Sequence, residues 1–326
     1  MSLEDQIFNI NSEFEFIKIA LDIFQFQYKN NPIYNEFCNH LRVSPNKVKN
    51  INQIPFLPIE FFKTHPIKAG SFIEEQIFLS SGTTGQNQSQ HFVKDLSIYE
   101  KSYLKAFEYF YGKVENYCVL ALLPSYLERE GSSLIYMTED LINKSNNPKS
   151  GFFLENHSEL IEILKENVKN NQKTLLIGVS FALLDLAEHN QIDLKNVIIM
   201  ETGGMKGRRK ELTRTELHYI YNNSFNVSEI HSEYGMTELL SQAYSKGNGI
   251  FETPPWMKTI IRDINDPFSI LENNKTGGIN IIDLANINSC SFIASQDLGK
   301  KVSNNKFEVL GRFDNSDLRG CNLLIS

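Results

Sequence analysis

Short apolar runs alternate with helical segments through the middle of this 326-residue chain, and this order constrains the fold more than any other feature. Four apolar runs predict buried strands at residues 77–79, 118–123, 174–177 and 197–200. Helical periodicity predicts helices at residues 96–109, 158–168, 181–187 and 210–221. Strands that alternate with helices are typical of an α/β fold, and the chain from Ile260 onward predicts a more β-rich last third.

The composition and charge narrow the classes of protein that this chain can represent. Hydrophobic residues make up 41% and charged residues 22%, which provides for a large core and excludes whole-chain disorder. The net charge of −7 argues against a protein that binds nucleic acid or a membrane surface. The acidic N-terminus and the shortness of the apolar runs predict neither a signal peptide nor a membrane span. The four cysteines form no CxxC pair, so we expect a protein of the reducing cytoplasm.

Residues 1–70 combine a helical pattern with a proline-containing connector. One amphipathic helix over residues 4–28 is predicted by apolar residues at helical spacing, namely Phe14, Ile17, Leu21 and Phe24. Pro55 and Pro58 predict that residues 54–63 form an extended, rigid connector rather than a helix. The alternation of strands and helices starts only after this segment.

The sequence Ser80-Ser81-Gly82-Thr83-Thr84-Gly85 directly follows the first predicted strand. Its glycines let the backbone turn tightly and approach a ligand, and its hydroxyl and amide groups can point into one concavity. This is the chemistry of a phosphate-binding loop, although it has no Gly-Lys-Ser/Thr sequence of the Walker type. Residues 90–93 predict another strand, so the loop joins two strands. Taken alone, the loop is also compatible with a plain turn.

Two further clusters lie at or after predicted strands. A strand at residues 227–231 precedes Ser232-Glu233-Tyr234-Gly235-Met236-Thr237-Glu238, which combines an aromatic ring, a glycine, a hydroxyl and a carboxylate. That set can stack on a base, contact a phosphate and hold Mg²⁺ through Glu238. A helix start capped by Thr237 and Glu238 is the alternative. The other cluster, Glu201-Thr202-Gly203-Gly204, places paired glycines where α/β sheets admit flat ligands.

These clusters, followed by Asp297-Leu298-Gly299 and Gly311-Arg312, resemble in type and order the adenylate-forming superfamily of acyl-CoA synthetases, luciferases and peptide-synthetase adenylation domains. The resemblance extends from about Phe56 to the end of the chain. It implies the large N-terminal part of such an enzyme, an α/β unit of stacked sheets with flanking helices. It also implies ATP and Mg²⁺ as cofactors, Thr84, Thr237 and Glu238 as catalytic residues, and Glu238 as the metal ligand. The implied nucleotide-binding residues are Ser80, Ser81, Gly82, Thr83, Thr84, Gly85, Gly203, Gly204, Tyr234, Gly235, Met236, Thr237, Asp297 and Arg312.

Four segments are more similar to the acyl-protein synthetase, or long-chain-fatty-acid–protein ligase, of bacterial bioluminescence systems. They are residues 55–63, 202–207, 283–293 and 316–324. That family activates a fatty acid as its acyl-adenylate and then carries the acyl group on a cysteine near the C-terminus. The acyl group passes from there to a partner reductase. The matching residue is Cys321, which the resemblance makes a catalytic thiol, and the alternative is a buried, inert cysteine.

The sequence departs from the superfamily in two places. Gln88 and Ser89 stand where a lysine usually follows the phosphate loop. The chain ends at Ser326, whereas most members continue into a C-terminal domain of roughly a hundred residues with a catalytic lysine. We therefore expect an N-terminal segment (1–70), an adenylate-forming core (71–311) and a tail with Cys321 (312–326). Either adenylation is slow, a partner supplies the missing charge, or one basic residue does so: Lys206, Arg208, Arg209, Lys300 or Arg319.

The predicted function is ATP-dependent activation of a carboxylic acid, a fatty acid in the first place, and transfer of the acyl group to a thiol. The acceptor is Cys321 and then a partner protein such as a reductase or carrier, or else CoA. One alternative is an acyl-CoA or acyl-carrier ligase of the phenylacetate-CoA ligase type, and another is a truncated relative that binds without catalysis. A hydrolase or acyltransferase that uses Ser180 is the remaining rival, although Ala182 replaces the second glycine of a nucleophile elbow.

Overall fold

The computed structural model describes residues 2–81, 88–123, 131–154, 156–203 and 212–313. None of the helices in these ranges combines the length and the apolar character that crossing a membrane requires. The α-helices are α1 (Leu3–Ile7), α2 (Glu13–Asn30), α3 (Pro32–His40), α4 (Phe61–Thr64), α5 (Leu96–Tyr111), α6 (Ser133–Ser145), α7 (His157–Lys169), α8 (Ser180–His189) and α9 (Arg214–Phe225). The strands are β1 (Leu57–Pro58), β2 (Gln76–Leu79), β3 (Gln90–Val93), β4 (Cys118–Leu122), β5 (Gly151–Phe152), β6 (Thr174–Val179), β7 (Val197–Thr202), β8 (His231–Tyr234), β9 (Ala243–Ser245), β10 (Ile250–Glu252), β11 (Met257–Arg262), β12 (Thr276–Asp283), β13 (Phe292–Ser303) and β14 (Lys306–Arg312).

Twelve strands of the described ranges join into one mixed sheet. Its order is β11-β12-β13-β14-β10-β9-β8-β7-β6-β4-β5, and β1 pairs with β13 outside this path. Along this order, the neighbouring strands between β5 and β8 pair in parallel. The neighbouring strands from β8 to the other edge, at β11, pair antiparallel. Strands β2 and β3 form a separate antiparallel hairpin. The predicted α/β class and the β-rich last third are both confirmed.

The parallel strands are covered on both faces, which explains why they read as continuous apolar runs. Every residue of β4 and β6 is buried, and β7 has one partly exposed residue. Gly178 in β6 is required by this packing, because a Cβ atom there would lie 2.9 Å from the Cβ atom of Leu122. These strands and the predicted helices 96–109, 158–168 and 181–187 end within two residues of their predicted bounds.

The single N-terminal helix predicted over residues 4–28 is wrong. The structure has α1 and α2 instead, and α2 begins after Ser12, whose hydroxyl accepts a hydrogen bond from the backbone amide of Glu15. Phe14 is 77% exposed, so the buried stripe of α2 is rotated from the predicted one. The stripe contacts the β-rich part, where the Gln27 amide donates to two backbone carbonyls at 2.9 Å.

Other boundaries also differ from the prediction. Helix α9 starts at Arg214, because Thr213 and Glu216 form a capping box there. The strand predicted at residues 227–231 is β8, which runs from His231 to Tyr234 and therefore includes polar residues of the second cluster. The predicted connector contains the short strand β1 and the start of the short helix α4. Helices α3 and α6 were not predicted.

Candidate active site

The second and third clusters meet where the parallel strands β7 and β8 end. Thr202 of β7 lies opposite Glu233 of β8, and its hydroxyl donates to Glu233 Oε2 at 2.6 Å. Gly203 then adopts φ +70°, in the left-handed region that favours glycine. At Gly235 a Cβ atom would lie 2.3 Å from Glu233 Oε1, so a side chain there would require the Glu233 carboxyl to move. The carboxyl edge of the parallel sheet thus brings both glycine turns together.

Glu233 is a functional candidate that the sequence placed in a cluster without a role. Its side chain is buried, and burial raises the pKa of its carboxyl to about 7, while the hydrogen bond from Thr202 acts in the opposite direction. A carboxyl with this pKa changes its charge near neutral pH. A carboxyl side chain in a strand, directly before Tyr234, is the signal that could have identified it.

Tyr234, Asp297 and Arg312 form one contiguous group. The Tyr234 hydroxyl donates to Asp297 Oδ2 at 2.7 Å, and Arg312 Nε donates to Asp297 Oδ1 at 3.1 Å. The Tyr234 ring packs against Phe251 and Phe307, with centroid distances of 5.8 and 5.5 Å. Burial and the Asp297 charge raise the pKa of the Tyr234 phenol, so the hydroxyl stays a donor. The Asp297 carboxyl is buried, whereas the Arg312 side chain is 74% exposed and reaches the surface.

The β2–β3 hairpin closes the neck of the predicted phosphate loop. Ser80 N donates to the Ser89 carbonyl at 3.1 Å, and Ser89 N donates to the Ser80 hydroxyl at 2.9 Å. The Gln88 amide also donates to the Ser80 carbonyl at 2.8 Å. Ser81 is exposed at the start of the loop. Gln88 and Ser89, which stand where a lysine was expected, therefore hold the two arms of the loop together.

The turn that carries Thr237 and Glu238 is held at several backbone atoms. His91 of β3 donates from Nδ1 to the Thr237 carbonyl at 2.8 Å, and the Asn286 amide donates to the Glu238 carbonyl at 2.7 Å. The buried Asp283 carboxyl accepts hydrogen bonds from two backbone amides of the following turn. No helix of the described residues begins at this turn, so the alternative interpretation as a helix cap is wrong.

Glu238 lies where the hairpin and the Asp297 group converge. The carboxyl is buried, and burial raises its pKa. A hydrogen bond with the Ser89 side chain and the positive charges of Arg312 and Lys63 act in the opposite direction. A carboxylate is a preferred ligand of Mg²⁺, so the chemistry of the Glu238 side chain fits such a metal. Lys63 belongs to the predicted connector and was not among the predicted site residues.

Several predicted residues lie outside the described ranges. They are Gly82, Thr83, Thr84, Gly85, Gly204 and Cys321, together with the candidate cations Lys206, Arg208, Arg209 and Arg319. Of the remaining predicted residues, Met236 is partly buried against the core, and Lys300 forms a 3.3 Å ion pair with Glu308.

Ser180, the nucleophile of the alternative hydrolase prediction, is buried and connects several elements by hydrogen bonds. Its hydroxyl donates to the carbonyl of Gly203 at 3.1 Å, and its own carbonyl accepts from the Tyr221 hydroxyl at 2.7 Å. These bonds link α8 and α9 to the glycine turn after β7. The hydroxyl is thus directed at a backbone oxygen rather than at a histidine base.

A comparison with protein families decides between these readings. The sequence profile described as "Acyl-protein synthetase, LuxE" matches residues 8–326. The chain belongs to the LuxE acyl-protein synthetase family. Both predicted resemblances, to adenylate-forming enzymes and to acyl-protein synthetases, are therefore confirmed, as is an enzyme of this type at the level of the family. A comparison with curated proteins found no match.

Solved structures of acyl-CoA ligases are similar in fold to this LuxE-family chain. An open conformation of 2-hydroxyisobutyryl-CoA ligase with 2-HIB-AMP and CoA superposes with a TM-score of 0.65 at 10% identity, over 94% of this chain and 72% of the ligase. ATP-bound MatB from Rhodopseudomonas palustris gives a TM-score of 0.54 at 14% identity, over 72% of this chain. The match spans 47% of the MatB chain. At these identities the likeness establishes the fold.

Proposed function

We propose that this protein uses ATP to activate a carboxylic acid, a fatty acid in the first place, as an acyl-adenylate and then transfers the acyl group to a thiol. The observation that carries the proposal is the convergence, in a LuxE-family chain, of the buried Glu238 carboxyl with the Ser80–Ser89 neck and the Asp297 group. A phosphate loop, a metal-binding carboxylate and a ribose-binding carboxylate are the groups that nucleotide activation requires.

Each group of the proposed site has a role in this reaction. Asp297, held by Tyr234 and Arg312, accepts hydrogen bonds from the ribose hydroxyls of ATP. The hydroxyls of Ser81, Thr83, Thr84 and Thr237 donate to phosphate oxygens. Glu238 holds Mg²⁺, which neutralises charge on the phosphate oxygens when it is bound.

The first half-reaction transfers the adenylyl group to the acid. A carboxylate oxygen of the acid forms a bond to the α-phosphorus, and the bond from that phosphorus to the oxygen bridging to the β-phosphate breaks. Pyrophosphate leaves with the electron pair. In the second half-reaction a thiolate attacks the acyl carbon and AMP leaves.

We propose Cys321 as the first acceptor thiol and a partner protein as the second. Cys38, Cys118 and Cys290 are free, buried thiols, and burial raises the pKa of each of them, so they are poor nucleophiles. Free thiols of this kind also support a cytoplasmic location. CoA or a carrier phosphopantetheine is the second candidate acceptor, favoured by the fold shared with a CoA ligase.

The test is ATP–pyrophosphate exchange with Mg²⁺ against a panel of fatty, short-chain and aromatic acids. We expect wild-type protein to exchange with one acid class, and Glu238→Gln to lower the exchange rate by about 100-fold because the metal-binding carboxylate is lost. Glu272→Gln, on an exposed turn before β12, is the matched control and keeps the wild-type rate.

Each failure of this test has a defined meaning. Wild-type exchange that survives in Glu238→Gln would place the metal site elsewhere. Wild-type protein that binds ATP but exchanges with no acid would favour the non-catalytic relative over the ligase.

A further inference from the structure

The segment of residues 55–63 is shared with the acyl-protein synthetases, but the chemistry above gives it no role. In the structure it lies along β13, the strand that carries Asp297. Leu57 and Pro58 pair with β13 in parallel, and Ile59 N donates to the Ala294 carbonyl at 3.0 Å. The Glu60 carboxylate then accepts a hydrogen bond from the Gln296 amide. The segment is thus fixed beside the nucleotide-binding strand rather than acting as a spacer.

Helix α4, at the end of this segment, packs against the hairpin that holds the catalytic turn. The Phe62 ring is 1% exposed and meets the His91 ring edge-on, with a centroid distance of 5.8 Å. His91 in turn donates to the Thr237 carbonyl. One layer of side chains therefore separates α4 from the turn with Thr237 and Glu238.

Lys63 follows Phe62 directly and faces the opposite environment. Phe62 is buried, but Lys63 is exposed, and its positive charge acts on the Glu238 carboxyl. Within the described part of the chain, Lys63 makes no ion pair, whereas the candidate cation Lys300 pairs with Glu308 and Arg312 pairs with Asp297. An exposed ammonium that makes no ion pair among the described residues, on the helix that packs against this hairpin, is free to bind an anion.

We propose that Lys63 binds the β- and γ-phosphates of ATP and replaces the lysine that the phosphate loop lacks. This inference rests on the proposed function. As the bond between the α-phosphorus and the bridging oxygen breaks, negative charge accumulates on the leaving pyrophosphate, and the Lys63 ammonium stabilises it through charge-assisted hydrogen bonds. Lys63 keeps its proton throughout, so no proton transfer is required.

The experiment compares Lys63→Met, which removes the charge at similar length, with Lys63→Arg, which keeps it. Lys49→Met is the matched control, because Lys49 is exposed in the same N-terminal part of the chain. We expect Lys63→Met to lower kcat/KM for ATP in pyrophosphate exchange by about 10- to 100-fold, Lys63→Arg to recover part of the rate, and Lys49→Met to match wild type. Thermal unfolding checks that each variant is folded.

A binding measurement separates phosphate recognition from a structural effect. By calorimetry, Lys63→Met weakens the binding of ATP and of inorganic pyrophosphate but leaves the binding of AMP at the wild-type value. Equal losses of ATP and AMP binding in Lys63→Met would overturn the inference. Unchanged ATP kinetics of Lys63→Met, measured where the wild type exchanges normally, would overturn it as well. Absence of acid-dependent exchange in the wild type would instead contradict the proposed function.

Discussion

At the scale of single residues, two carboxyl groups of the candidate site are buried, and burial raises the pKa of each of them. Glu233 lies between the Thr202 hydroxyl and the turn at Gly235, where a Cβ atom would meet its carboxyl at 2.3 Å. Asp283 binds backbone amides after Glu238, and burial raises its pKa to about 6. The protonation of both groups therefore couples the stability of the protein to pH.

The raised pKa of Glu233 predicts a pH-dependent stability. In the folded protein this carboxyl holds its proton up to about pH 7, whereas the unfolded chain loses it near the ordinary value of 4.5. The folded state thus binds more protons between these values, and stability falls as pH rises through the window. Glu233→Gln keeps an acceptor for Thr202 and removes the titration. We expect the free energy of unfolding of wild type relative to Glu233→Gln to fall by about 3 kcal/mol at most between pH 4.5 and 8.

Urea unfolding of both proteins across this pH range measures the free energy of unfolding. Glu229→Gln is the control, because it removes an acidic charge next to the same strand. Parallel curves for wild type and Glu233→Gln would show that folding leaves the pKa of this carboxyl at its ordinary value.

At the scale of elements, strand β3 couples the proposed phosphate loop to the turn with Thr237 and Glu238. Ser89 and His91 are alternate residues along the chain, so they share one face, and they contact Glu238 and Thr237 respectively. His91 is buried, and its Nε2 atom has no hydrogen-bond partner among the described residues. A buried acceptor without a partner costs about 1–3 kcal/mol, which an apolar residue would avoid. We therefore infer that His91 acts by positioning the turn, through its hydrogen bond to the Thr237 carbonyl, rather than by stabilising the fold.

This arrangement predicts different results for two replacements of His91. His91→Leu loses the donor to the Thr237 carbonyl and also the unpaired acceptor, so we expect stability within about 1 kcal/mol of wild type. We expect its kcat/KM for ATP to fall about tenfold or more, since a displaced turn misplaces Glu238. His91→Asn retains a donor and recovers part of the rate. Exchange kinetics with varied ATP and Mg²⁺ provide the readout, and an active His91→Leu would show that the bond only stabilises the fold.

At the scale of the whole molecule, one long sheet joins the proposed nucleotide site to the N-terminal segment. Gln27 of α2 donates to carbonyls at residues 286 and 287, and Asn286 holds the Glu238 carbonyl. The predicted division into residues 1–70, 71–311 and 312–326 stays a prediction, but the first two parts share one hydrophobic core. Because Cys38, Cys118 and Cys290 are buried in this core, we expect any acyl transfer to the chain itself to use a thiol outside it.

The proposed carrier role of Cys321 predicts a covalent acyl-protein. Incubation with ATP, Mg²⁺ and a labelled fatty acid should give a hydroxylamine-labile label on wild-type protein, because a thioester reacts with that nucleophile. Cys321→Ala should lose the label but keep pyrophosphate exchange. Cys118→Ala, which changes a buried thiol in β4, is the control and should keep both signals. A label that persists in Cys321→Ala would exclude this residue as the carrier.

The sequence by itself determined the α/β class, the central strands and the order of the candidate motifs. Strands β4 and β6 and residues 197–200 of β7 are mostly apolar because both faces of those strands are covered, so local pattern and final structure agree. The resemblance to acyl-protein synthetases was likewise readable from the motifs, and the family match confirms it.

Only the tertiary structure decided how these motifs meet. Strand β8 contains Ser232 and Glu233 because partners on β7, Glu201 and Thr202, satisfy their polar groups, and no local pattern encodes such a bond. The stripe of α2 is set by contacts with residues more than 250 positions away. The same applies to Lys63, which is a connector residue in the sequence but a neighbour of Glu238 in the fold, since β1 pairs with a strand from the other end of the chain.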